Sequence, residues 1–225
     1  MSKILVITGA SRGIGNALVQ LASAYGHHVY ALSRNISSIK KTAQVDPIEI
    51  DISDENTLSV FLDQLQKEEV KIDVLINNAG VLINKPFAET TAEDFELLYR
   101  VNVFGLASLT RMLIPQIDPK GHVVNISSIG GIDGSSKFPG LAAYSSSKGA
   151  VNILTELLAE EYKVTGPAFN SLALGAVQTE MLAKAFPGFK AAVTAEEIAD
   201  YILKFALEGQ KFFNGKIIPV SSSTP

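Results

Sequence analysis

The stretch "KILVITGASRGIGNALVQLASAYG", residues 3–26, decides the fold. Lys3 to Thr8 run through β-branched and aliphatic side chains, the composition of a strand covered on both faces. Glycines follow at Gly9, Gly13 and Gly15. Apolar residues then recur at helical spacing over residues 16–26, which close on Gly26. Strand, glycine turn and helix in that order aim the free N–H groups and positive dipole end of a helix at a pyrophosphate, and glycine lets the backbone come close. The spacing is G-x-x-x-G-x-G, not G-x-G-x-x-G, and glycine spacing alone would serve a plain tight turn equally well. Its place after a buried first strand favours dinucleotide binding. Gly9, Ser11, Arg12, Gly13, Ile14 and Gly15 are the candidate phosphate-loop residues.

Outward from this unit the pattern repeats. Strands are expected at 27–34, 46–52, 72–80 (ending in a glycine turn), 121–128, 167–175 and 215–220, and helices at 55–68, 92–117, 143–163 and 195–207. Strands alternating with helices imply an α/β fold: a three-layer, Rossmann-type, doubly wound parallel sheet with helices on both faces. No linker, repeat or low-complexity run interrupts it, so residues 1–225 are expected to form a single NAD(P)-binding catalytic domain.

Bulk properties narrow the function. Hydrophobic residues make up 47% of the chain and charged residues 19%, enough apolar material for a large core. The net charge of −4, without clustered Lys or Arg, argues against nucleic acid or an anionic membrane as partner. The absence of cysteine excludes disulfides and thiolate chemistry, and with only three histidines no metal site is expected. The first apolar run is too short for a signal-peptide core or a membrane span, and a cytoplasmic location is expected.

The second strand, where an acid would accept from the 2′-hydroxyl of NAD, ends in "ALSRN" with no acid. It offers Arg34, and Arg12 lies nearby in this topology. Two guanidiniums suit a 2′-phosphate, so NADP(H) is expected over NAD(H), unless both are ordinary surface arginines.

Five motifs appear in order: "TGASRGIG" (8–15), "NNAG" (77–80), the asparagine of "RVNVFG" (100–105), "ISS" (126–128) and "YSSSK" (144–148). On these the chain resembles the short-chain dehydrogenases/reductases from residue 3 to about residue 180, and more loosely to the end. The resemblance implies that Tyr144 is the catalytic acid/base. Lys148, one turn along, is expected to lower the phenol pKa together with the oxidised nicotinamide and to hold the nicotinamide ribose. It implies that Ser128 bonds the substrate oxygen. Ser127 is the competitor, and period-two alternation lets only one of them face the cofactor. Asn102, in an apolar helix, would help hold a proton-relay water, or be a buried amide satisfied by backbone, or both. Asn78, Ala79, Gly80, Asp51 and Ile52 would contact the adenosine half, and Val177 and Thr179 the carboxamide.

The chain also departs from the family. Ser128 and Tyr144 stand 16 positions apart (144 − 128), a longer gap than usual, and Lys137 and Phe138 of this loop could reach the pocket or lie on the surface. The usual "PG" is Leu174–Gly175, which should loosen that turn. The segment after Thr179 is short and the chain ends soon after its last strand, suggesting a lightly covered pocket. Met181, Leu182, Phe186 and Phe189 would line it, or else pack the lid onto the core.

The expected function is NADP(H)-dependent, reversible hydride transfer to a small carbonyl or alcohol substrate by a homodimer or homotetramer built on helices 92–117 and 143–163. A catalytically silent NADP-binding sensor or scaffold is the alternative, disfavoured by the intact Asn, Ser, Tyr and Lys set.

Overall fold

Alternation along the first strand builds both halves of the core: Leu5 and Ile7 enter one hydrophobic cluster, and Val6 between them enters the other. The computed structural model describes residues 2–221, so the tail beyond Ser221 lies outside the described residues. In chain order the elements are β1 (Ile4–Thr8), α1 (Gly13–Ala24), β2 (His28–Ser33), β3 (Val45–Glu49), α2 (Glu55–Lys67), β4 (Ile72–Asn77), α3 (Ala92–Tyr99), α4 (Leu106–Leu113), β5 (Ile117–Ser128), α5 (Ala142–Glu161), β6 (Ala168–Leu174), β7 (Val177–Gln178), α6 (Glu180–Ala185), β8 (Val193–Thr194), α7 (Ala195–Glu208) and β9 (Lys216–Val220).

Seven strands form one sheet in the order β3-β2-β1-β4-β5-β6-β9, every neighbouring pair parallel. Its faces are covered by helices α1 and α7 on one side and by α2, α4 and α5 on the other. The expected Rossmann-type sheet is therefore present. The chain order reverses between β1 and β4, which opens a crevice beyond their carboxyl ends. The edge strands β3 and β9 each carry a proline, Pro47 and Pro219.

Several boundaries differ from the sequence reading. Helix α1 starts at Gly13, inside the glycine loop, rather than at residue 16. Strand β5 starts at Ile117, and its register against β4 shifts between Ile72 and Val74 where Asp118–Gly121 bulge outward. The long helix is not uniform. Between α3 and α4, Arg100–Gly105 form a π-helical turn. By length and composition the whole Ala92–Gln116 helix could cross a membrane; here Leu98, Leu106, Leu109 and Leu113 bury one of its faces in the fold. The β7–β8 pair was not expected, because two-residue strands carry no periodicity, and α6 lies in the short lid segment after Thr179.

His122 on β5 is fully buried. Its Nε2 lies 2.9 Å from the Asn170 amide nitrogen, which also donates to the Phe213 carbonyl at 2.9 Å, and its Nδ1 lies 3.0 Å from the Ala206 carbonyl oxygen. Accepting at Nε2 and donating from Nδ1–H makes the ring neutral. Burial pushes its pKa down to about 4 from the ordinary 6.5. Between those values the unfolded chain binds the extra proton, so stability falls as pH drops from 6.5 towards 4. The loss from this group reaches about 3 kcal/mol. Urea unfolding across that window should show it, and His122→Gln should flatten the slope. An unchanged slope in the variant would rule His122 out as its source.

Candidate active site

A cleft of about 460 Å³ opens at the carboxyl ends of β1, β4, β5 and β6. Gly9, Ser11, Arg12, Gly13, Ile14, Arg34, Asp51, Ile52, Asn78, Ala79, Gly80, Val177 and Thr179 all line it. Gly15 lies behind the loop: a Cβ there would stand 2.2 Å from the Gly9 carbonyl oxygen, so only glycine lets α1 pack this close to the turn. The turns after β1 and β4 are stapled together, because the Thr8 hydroxyl accepts from the backbone of Asn78 (3.0 Å) and Ala79 (2.9 Å) and Asn78 Nδ2 donates to the Thr8 carbonyl (2.9 Å).

At the head of α1, Arg12 is extended and caps nothing with its side chain, and the first turn carries no acid. The helix thus presents its free N–H groups to the cleft, a fit for a pyrophosphate. Hydroxyls gather at the end of β2, where Ser33 donates to Ser11 Oγ (2.9 Å) and Ser38 to the Ser11 carbonyl (2.8 Å). The two expected arginines have acidic neighbours. Arg12 meets Glu180 of α6 at 3.4 Å across an exposed pair, and the Arg34 guanidinium acts on Asp51. Asp51 is buried enough to oppose ionisation, but bonds from Ser53, then the positive charges of Arg34 and Arg100, hold its pKa below the usual value.

At the other end of the cleft the two serines separate as alternation requires. Ser127 is buried and donates to the Lys148 carbonyl at 3.2 Å, whereas Ser128 bonds the Tyr144 phenol. Lys148 is 5% exposed and its ammonium donates to the Ile126 carbonyl at 2.8 Å, with Nζ 5.9 Å from the centre of the Tyr144 ring. Burial pushes Lys148 down to about 8. Burial also pushes the Tyr144 phenol up to about 12, partly offset by Ser128. Loss of hydration sets this direction for the protein alone, whereas the expected lowering is for the phenol with the oxidised nicotinamide beside it.

Asn102 sits in the π-helical turn, fully buried. Its Oδ1 accepts from Val81 N at 2.8 Å, and its Nδ2 donates to the Val81 carbonyl and to Ser147 Oγ, both at 3.0 Å. Ser147 donates in turn to the Tyr144 carbonyl at 2.7 Å. The first turn of α5 carries the three serines of "YSSSK", of which Ser147 is fully buried. Ser147 is a buried link between α5 and the π-helical turn, and the sequence held no signal for that.

The enlarged loop resolves Lys137 and Phe138. Lys137 bends back onto the loop, donating to the Ile132 carbonyl and to Ser135 Oγ, while Phe138 lines the cleft. Met181, Leu182, Phe186 and Phe189 line it as well and belong to neither core cluster. At the Leu174–Gly175 turn, Leu174 extends β6 in register with Val220 and is buried, and Gly175 N donates to the Val220 carbonyl at 3.0 Å. Asn84 is a residue the sequence reading missed. Its Nδ2 donates to the carbonyl of Ala185, the last residue of α6, at 2.8 Å. Its Oδ1 lies where a Cβ on Gly140 (φ +87°) would come within 2.0 Å. Lid, post-β4 turn and enlarged loop meet at this amide.

A model of the short chain dehydrogenase family matches residues 3–189. The 3-oxoacyl-acyl-carrier-protein reductase of Thermotoga maritima is 30% identical, over 97% of this chain and 96% of its own. Among solved structures, 4-hydroxyisoleucine dehydrogenase complexed with NADH aligns with a TM-score of 0.87 at 26% identity, covering 99% of this chain and 98% of that one. A variant of ElxO with NADPH bound aligns with a TM-score of 0.84 at 26% identity, covering 97% of each.

The Asn84 contact predicts a split in kinetics. Asn84→Asp keeps the shape but loses the donor to Ala185. KM for the carbonyl substrate should rise about fivefold with little change in kcat, the equivalent of one exposed hydrogen bond. An unchanged KM would show that the bond does not set the lid.

Proposed function

The chain belongs to the short-chain dehydrogenase family and is an NAD(P)-dependent oxidoreductase acting on an alcohol/carbonyl pair; from that premise we propose how its residues divide the reaction. The observation that carries the reading is the meeting of Ser128, Tyr144 and Lys148 in one cleft whose other end is an uncapped helix N-terminus. When bound, the nicotinamide supplies a hydride to the carbonyl carbon, or accepts one from the carbinol. Ser128 donates to the carbonyl oxygen as negative charge grows there. Tyr144 releases its proton to the same oxygen, completing the alcohol. The Lys148 ammonium stabilises the phenolate left behind and supports its reprotonation. Asn102 holds the Val81 turn beside it.

NADP(H) is the preferred cofactor on this reading. Its support is Arg34 in the cleft, Arg12 in the adjacent loop, the hydroxyls around Ser11, and the lack of an acid at the end of β2. The acting unit is the single domain 1–225, and the cysteine-free composition suits the cytoplasm. A homodimer or homotetramer would cover the exposed Leu97, Phe104, Ile153 and Leu157 of the two long helices.

Two measurements test this. Tyr144→Phe should bind NADPH within about twofold of wild type while losing about 10³-fold in kcat; undiminished turnover would remove Tyr144 from the proton transfer. Titration should show wild type binding NADPH more tightly than NADH, and Arg34→Ala should reduce that preference about tenfold. Equal affinities in wild type would refute the cofactor assignment.

A further inference from the structure

We propose that the substrate is an uncharged ketone or aldehyde carrying an apolar, ring-sized group, an inference that rests on the carbonyl/alcohol reading above. Charge in the cleft is sorted by position. Arg12, Arg34 and Asp51 lie on the β1–α1 loop, just past β2 and after β3, at the dinucleotide end. Glu180 comes from the lid, but its carboxylate is turned to Arg12 at 3.4 Å. The remaining charged lining residue is Lys148, whose ammonium is held by the Ile126 carbonyl.

The segments that surround the Ser128–Tyr144 pair bring a different set. The post-β4 turn supplies Leu82, the enlarged loop Phe138 and Leu141, and the lid Met181, Phe186 and Phe189. Of the cations near these segments, Lys85 pairs with Asp94 at 2.8 Å, Lys137 is folded onto its own loop, and Lys184 and Lys190 of the lid do not line the cleft. The Asn84 amide is committed to the Ala185 carbonyl. A carboxylate or phosphate on the substrate would find no cationic partner among these lining residues, whereas a ring would meet phenylalanines from two separate segments.

The redox balance is that of the family reaction. The C=O double bond takes a hydride at carbon from the dihydronicotinamide and a proton at oxygen from Tyr144. The cofactor leaves oxidised, and solvent returns the phenol proton.

The test is a matched set of carbonyls with NADPH: 1-phenyl-1,2-propanedione, its anionic counterpart phenylglyoxylate, and ring-free 2,3-butanedione. kcat/KM should favour the phenyl diketone over phenylglyoxylate by roughly a hundredfold, and over butanedione by about tenfold. Phe186→Ala should narrow the preference for the phenyl diketone over butanedione from about tenfold towards parity. Phenylglyoxylate turned over as well as the phenyl diketone would overturn the inference and leave the proposed reaction standing. Butanedione matching the phenyl diketone would overturn the ring requirement. If no carbonyl, menadione included, oxidises NADPH or NADH, the proposed reaction fails and this inference with it.

Discussion

Three hydrogen bonds from one buried amide hold the site in register. Asn102 closes both backbone groups of Val81 and reaches Ser147 Oγ, so the post-β4 turn, the long helix and the head of α5 are fixed to one another. The Gly80 turn is thereby set against Lys148, with a Cβ built on Gly80 standing 3.6 Å from Nζ. The π-helical turn makes this possible by widening the helix by one residue, so that a polar side chain points inward from an otherwise apolar face. Removing the amide would leave the part-buried N–H and C=O of Val81 without their side-chain partner and release the turn.

Burial then sets the chemistry of the two ionisable partners. It disfavours charge on both, pressing Lys148 down to about 8 and Tyr144 up to about 12. A phenolate and an ammonium in this place have little water to share, so each depends on the other and on fixed dipoles such as the Ile126 carbonyl. Outward, Phe138 and the lid add an apolar lining. One end of the cleft is therefore governed by charge and the other by apolar contact.

How far this was legible in the sequence depends on what each residue does. The buried run of β1, the glycine turn and the helix after it announced themselves, because burial on two faces and close backbone approach demand particular residue types. Ser128, Tyr144 and Lys148 could be named from ordered motifs; alternation within β5 gives Ser127 and Ser128 different partners, but the choice between them came from the family resemblance. The links at Ser147 and Asn84 were not, since a hydrogen bond between residues 45 or 101 positions apart leaves no local pattern. The β7–β8 pair that brackets the lid was missed because its strands are too short for periodicity to register.

The two outer strands carry a last consequence. A parallel sheet normally exposes a row of backbone donors along each border, ready to recruit an extended segment from another chain. Here Pro47 and Pro219 stand in the border strands, and a proline has no N–H to offer such a segment. Both margins are thus poor templates for templated β-addition. A protein this rich in β-branched strand sequence carries its protection against fibril-like growth in two ring-closed residues, far from the chemistry they leave undisturbed.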